Sequence, residues 1–137
     1  MKKRILSMLL AIVMVAGLMP GFAITASAAD STTWDGSTVA TAFAGGTGTE
    51  ADPYIIETAG QLIYLRDKVN SGTKYNGKYF RLDADLDMNS KTFGDAIGSS
   101  TSNQFNGHFD GNGHKIRNLT IASSNGYSAL FGNVGWN

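Results

Sequence analysis

The chain has no cysteine, only two prolines and no excess of either charge, with 11 basic and 11 acidic side chains in 137 residues. Each absence excludes something. Without cysteine there are no disulfide staples, so hydrophobic burial, hydrogen bonding or a bound metal ion must hold the fold. Without a basic surplus there is no electrostatic field for nucleic acid. Three of the basic residues, Lys2, Lys3 and Arg4, stand at the extreme N-terminus, and without them the remainder is mildly acidic. Long helical patterns are also scarce, whereas glycine is abundant at 17 residues and Thr, Ser, Asn and Asp are frequent. That composition points to a turn-rich, mainly β protein.

The first 29 residues have the organisation of a secretory signal peptide. Met1 to Arg4 form a basic head, Ile5 to Leu18 an apolar run, and Pro20-Gly21 a helix break. The small-residue stretch Ala26-Ser27-Ala28-Ala29 then places cleavage after Ala28 or Ala29. A retained membrane anchor is the rival reading, since Ile5 to Ala29 is uncharged and long enough to span a bilayer. The helix break, the small-residue exit and the lack of a flanking charge favour removal. The expected location is therefore secreted or extracellular, with membrane contact only during export. About 108 residues remain, enough for one small domain.

Residues 30–52 are small and polar, with Trp34, Val39 and Phe43 as isolated apolar anchors and a loose glycine segment from Gly45 to Thr49. They predict an irregular lead-in. No Lys-Ser/Thr follows those glycines, which excludes a phosphate loop. Residues 53–137 form the main domain. Pro53 to Ile56 is strand-like, and Thr58-Ala59-Gly60-Gln61 has the spacing of a capping box. Leu62, Leu65 and Val69 then recur at helical spacing before Asn70-Ser71-Gly72, predicting a short α-helix over about 59–70 that caps the end of a sheet stack.

From Lys78 to Met88 apolar Phe80, Leu82, Ala84, Leu86 and Met88 alternate with Arg81, Asp83, Asp85 and Asp87. Period two predicts one strand with its acids on one face. Further strands are expected over 104–110, 114–121 and 128–134, separated by turns such as Asn106-Gly107, Asp110-Gly111 and Asn112-Gly113. Spacing of roughly twenty residues suggests stacked solenoid coils, although a small sandwich could use the same strands. Phe80, Leu82, Leu86, Phe109, Ile116, Leu119, Ile121 and Phe131 are the expected core.

Three segments carry a family resemblance. They are Gly48-Thr49-Glu50-Ala51-Asp52-Pro53-Tyr54-Ile55-Ile56-Glu57-Thr58, then Gly77 to Asp87, then Phe105-Asn106-Gly107-His108-Phe109-Asp110-Gly111-Asn112-Gly113-His114 continuing to Leu119 and followed by Ala129-Leu130-Phe131-Gly132-Asn133-Val134. Together they resemble the lead-in of GLUG-motif proteins, which are secreted bacterial surface proteins. The resemblance implies a right-handed parallel β-helix, incomplete and of few coils, in a non-catalytic exported scaffold or adhesin. Ala129 departs from the glycine usual at that place, and the chain stops where the next repeat is due. An N-terminal fragment of a longer protein is therefore expected. The alternative is the leading segment of a larger exported enzyme, a polysaccharide lyase or an IgA-protease-like chain, with its catalytic residues downstream.

Asp83, Asp85 and Asp87 are the strongest charged constellation. They do not begin an EF-hand, because Met88 replaces the required glycine and Gly94 the bidentate glutamate. Calcium held between this strand and a neighbouring coil is one reading, and a solvated face that discourages edge pairing, compensated by Arg81 or Lys115, is the other. His108 and His114 flank a tight turn with Asp110 between them, and structural polar contacts are expected of them rather than a metal. No Ser-His-acid set stands out. Tyr79 falls out of phase with Phe80 and so faces outward with Asp83, Asp85 and Asp87, making that strip the expected contact for glycans or a host or cell-wall surface.

Overall fold

A computed structural model describes residues 32–135. The expected signal peptide, with Ala28 and Ala29, lies outside the described residues. Among the described residues the fold is mainly β, with one α-helix and short strands that pair in parallel. The chain runs through β1 (Tyr54–Ile56), α1 (Ala59–Asn70), β2 (Tyr79–Leu82), β3 (Leu86–Asp87) and β4 (Thr92–Gly94). It continues through β5 (His108–Asp110), β6 (Ile116–Arg117) and β7 (Thr120–Ile121).

The helix starts where local chemistry directs it. The Thr58 hydroxyl accepts from the Gln61 N–H at 3.2 Å, and the Gln61 side-chain oxygen accepts from the Thr58 N–H at 3.1 Å. These reciprocal bonds satisfy donors that the first helical turn leaves open. Leu62, Ile63, Leu65 and Val69 are then completely buried against the strands. At the far end Asn70 holds an irregular stretch of the next turn in place. Its amide donates to the Ala96 carbonyl at 2.9 Å and its oxygen accepts from the Gly98 and Ser99 N–H groups, each at 3.0 Å.

The segment expected to form a single strand from Lys78 to Met88 is two strands separated by a corner at residues 83–85. The physical reason is core size. A straight strand advances ~3.3 Å per residue and would carry its later side chains past so small a core. Bending keeps Phe80, Leu82, Leu86 and Met88 all buried in one cluster, with Ala84 half-buried at the corner.

Each turn of chain lies in register on the next. β1 pairs with β2, aligning Tyr54 with Phe80, and β2 pairs with β5, aligning Phe80 with Phe109. β3 pairs with β6 through Leu86 and Ile116, and β4 with β7 through Thr92 and Thr120. Parallel bridges from Ile97 to Phe131 and from Phe105 to Val134 continue the match. All pairing between the named strands is parallel, unlike the antiparallel sheets of a small sandwich. The side-chain bonds of Asp83, Asp85 and Asp87 to the next turn join residues 29 to 32 positions apart, not the expected twenty or so. The longer period arises because one turn contains three short strands, β2, β3 and β4, before it returns as β5, β6 and β7.

The lead-in is held against this body. Thr33 bridges Asp87 in parallel, Trp34 is buried, and the Ala40 N–H donates to the Gly60 carbonyl at 3.1 Å. Gly45 pairs antiparallel with Ile55. The glycine segment expected to be loose is thereby pinned. A Cβ on Gly46 would lie 1.8 Å from the Pro53 carbonyl oxygen, and one on Gly48 would lie 2.3 Å from the Tyr54 ring.

Of the expected core, Phe80, Leu82 and Leu86 are buried, while Phe109, Ile116, Leu119, Ile121 and Phe131 are only partly buried against the cluster. The latter belong to the last described turn. Phe93, Ile97 and Phe105 supply much of the interior instead. The prediction is that Leu86→Ala costs ~2–5 kcal/mol, as for a fully buried leucine, and that Ile121→Ala costs less than half as much. Chemical denaturation of the two variants measures this, and a larger loss at Ile121 would place the centre of the core in the wrong turn.

Candidate functional site

The corner at residues 83–85 divides the strip expected from sequence, with Tyr79 on β2 and Asp87 on β3 in separate sheets, and the three carboxylates are directed to three different sets of donors. Asp83 takes a two-pronged contact from Arg81 at 2.6 and 2.8 Å and accepts from the Asn112 amide at 3.3 Å. Asp85 accepts from the Lys115 N–H at 3.1 Å and from Arg117 at 2.8 Å, with His114 Nδ1 at 3.2 Å. Asp87 accepts from the Asn118 amide and the Asn89 N–H, each at 2.8 Å. Each acid in the middle turn is thus bonded to the turn that follows.

Electrostatics follow from these bonds. The Arg81 contact holds the Asp83 carboxyl below the usual carboxylate range. The backbone N–H of Lys115, aided by His114, does the same for Asp85, and the Asn118 amide followed by the Asn89 N–H does it for Asp87. In return Asp83 raises the Arg81 guanidinium. Hydrogen bonds to the charged form favour ionisation, so these are acids held as anions.

The arrangement does not gather the acids into one ion site. Among the described residues, no three His, Cys, Asp or Glu side chains are grouped so as to hold a metal ion. An ion shared by Asp83, Asp85 and Asp87 would have to displace donors from β6 and its flanking turns. His108 and His114 also have separate partners, the first stacked on Tyr79 and the second beside Asp85.

Tyr79 is the part of the strip with open surroundings. Its ring stacks on His108 at 4.3 Å between centroids and 16° between planes, as their alignment across β2 and β5 requires. Beside it lies a cleft of about 290 Å³ lined by Glu50, Pro53, Tyr79, Arg81 and Asp110. An aromatic plane next to a guanidinium and two carboxylates can stack on a ring while binding its hydroxyls. Glu50, His108 and Asp110 were not assigned to this site from sequence. The 29-residue displacement that links Asp83 to Asn112 and Asp85 to His114 also sets Tyr79 over His108, and it is the signal that could have found them.

Comparison with known proteins gives one informative match. A curated protein of Evansella cellulosilytica, named "Putative Gly-rich membrane protein", is 36% identical over 100 residues, covering 69% of this chain. The chain spans only 11% of that relative's length. No family model matches the chain. No solved structure matches it significantly. Among the described residues no helix is long and apolar enough to cross a membrane.

The carboxylate bonds generate a pH prediction. Depressed folded-state values mean that the stability contributed by Asp83, Asp85 and Asp87 is fully present above the unfolded carboxylate value of ~3.9 and is lost as pH falls through the lower folded values. The expected result is a melting temperature that drops steeply below about pH 4, with a shallower drop in Asp85→Asn. Melting curves from neutral to acid pH check this. An identical acid limb in the variant would show that Asp85 does not join the turns.

Proposed function

We propose that the chain is a non-catalytic, exported cell-surface scaffold or adhesin module of the GLUG type, built as the opening coils of a right-handed parallel β-helix. The observation that carries this reading is the parallel ladder, tied at 29 to 32 residues, with one helix packed into the same core. A right-handed course is supported by the general rule that parallel crossover connections take that hand. A structural role is supported by the fate of the acids, which serve to bind one turn to the next. The leader sequence supports export. The Tyr79–His108 platform and its cleft provide a face for glycans or a cell-wall surface.

The length of the relative supports a module within a larger protein. It favours the scaffold reading and also the second one, in which the module precedes the catalytic part of an exported enzyme such as a polysaccharide lyase or an IgA-protease-like chain. The parent reading frame separates them: further GLUG repeats support a scaffold, and a downstream catalytic domain supports the enzyme.

The test is expression of the full chain with a C-terminal tag in a bacterial host that exports it. The expected product has lost the residues up to Ala28 or Ala29, is sensitive to protease added outside the cell, and sediments with purified cell walls. Tyr79→Ala is expected to weaken that sedimentation about tenfold. An uncleaved product retained in the cytoplasm would overturn the exported reading, and wall binding unchanged in the variant would remove Tyr79 from the contact face.

A further inference from the structure

A second hollow lies where the lead-in crosses the capped end. Phe43 of the lead-in sits against Tyr54 of β1, Tyr64 of α1 and Tyr75 of the loop before β2, with ring centroids 5.0, 5.1 and 6.3 Å away. With Gly45 and Gly46 these rings line a space of about 280 Å³. That is near the lower end of the ~300–1,000 Å³ typical of small-molecule pockets, which suits one ring rather than an extended chain.

Several features set this hollow apart from ordinary core packing. All four rings are half-buried, whereas the core rings Phe80 and Phe93 are fully covered. No hydrogen bond to a described residue occupies the hydroxyl of Tyr54, Tyr64 or Tyr75. Three phenols, each able to donate and to accept, thus stand beside apolar ring faces. Tyr75 has φ 56°, in the left-handed region that bulky side chains rarely adopt, so the surrounding fold imposes its position. Burial, with the nearby Tyr64 and Tyr54, pushes its phenol up to about 12, so it remains a donor at ordinary pH. The rim is shaped to match, because a bare Gly48 backbone lets the Tyr54 ring lie against it.

The chemistry of the walls selects the ligand. No carboxylate lines the hollow, and Lys68 Nζ already sits 5.3 Å from the centre of the Tyr64 ring, both unfavourable to a cation. Apolar faces combined with neutral hydroxyls suit a ring that has a C–H face and a hydroxylated edge. We propose that the hollow walled by Phe43, Tyr54, Tyr64 and Tyr75 is a subsite for one neutral pyranose residue, its C–H face on the rings and its hydroxyls bonded to the phenols. This subsite is separate from the Tyr79 cleft and does not depend on the scaffold reading.

The test is titration of the exported chain with methyl glucoside, methyl galactoside and N-acetylglucosamine, followed by saturation-transfer NMR, with tetramethylammonium as the cationic comparison. At least one pyranoside is expected to bind saturably in the millimolar range. Tyr64→Ala should weaken binding about tenfold or more, and Tyr64→Phe, which keeps the ring and lacks the hydroxyl, should weaken it about threefold without changing the melting temperature. Tyr79→Ala should leave it unchanged, so failure of the wall-binding test and failure of this one are distinguishable. Absence of saturable binding by every pyranoside, preference for tetramethylammonium, or unchanged affinity in Tyr64→Phe together with Tyr75→Phe would overturn the proposal.

Discussion

The structure depends on backbone hydrogen bonds passed from one turn of chain to the next. The His108 N–H donates to the Lys78 carbonyl at 2.7 Å, Leu86 to Lys115 at 2.8 Å and Met88 to Arg117 at 2.9 Å. Parallel strands this short bury too little to be stable alone, so each turn relies on its neighbour for both its ladder and its core. This reliance fixes the register, since Phe80 can meet Phe109 only if Tyr79 meets His108 and Arg81 meets Asp110. A shift of one residue would turn the apolar column outward. Interior packing and the outer strip are therefore set by a single alignment.

The same alignment explains why the most conspicuous charges in the sequence are bonded to separate sets of donors. Corners between short strands leave peptide groups without ladder partners, and an acid one turn away can satisfy them. Asp85 does so for the Lys115 N–H, and Asp95 for the Ser124 N–H at 3.0 Å. Exposed ion pairs alone contribute little, so Arg117 adds less than the backbone bond that Asp85 accepts in the same place. A row of aspartates in a turn-rich sequence can thus mark corners that need acceptors as readily as an ion site.

What was legible in the sequence was local. The Thr58–Gln61 box and the spacing of Leu62, Leu65 and Val69 define the helix because every partner lies within a few residues. The alternation through Phe80, Leu82, Leu86 and Met88 identifies the inward column. It does not reveal the corner, since burial keeps its period of two while the backbone bends at residues 83–85. The thirty-residue period was hidden for the same reason: three short strands per turn resemble several independent strands. The glycine segment looked loose because its partners, Pro53, Tyr54 and Tyr79, lie beyond it in the chain. The Tyr79–His108 stack likewise required a register that only the parallel pairing supplies.

Repetition and specificity make opposing demands on such a fold. A turn stacked on a similar turn fills its interior with aligned side chains, as Phe80 over Phe109 and Leu86 over Ile116 illustrate, and leaves little room for a ligand. Hollows arise where repetition fails. An α-helix bonds its own backbone and cannot extend a ladder, so the edge of β1 that does not pair with β2 must be met by something else. The lead-in meets it antiparallel through Gly45 and Ile55, which brings Phe43 against the Tyr54 ring. Helix, strand and lead-in have no common period, and the rings they contribute meet at tilted and edge-on angles that leave space between them. The aromatic hollow therefore lies where helix, strand and lead-in meet without a shared repeat, on the edge of β1 that the parallel ladder leaves open.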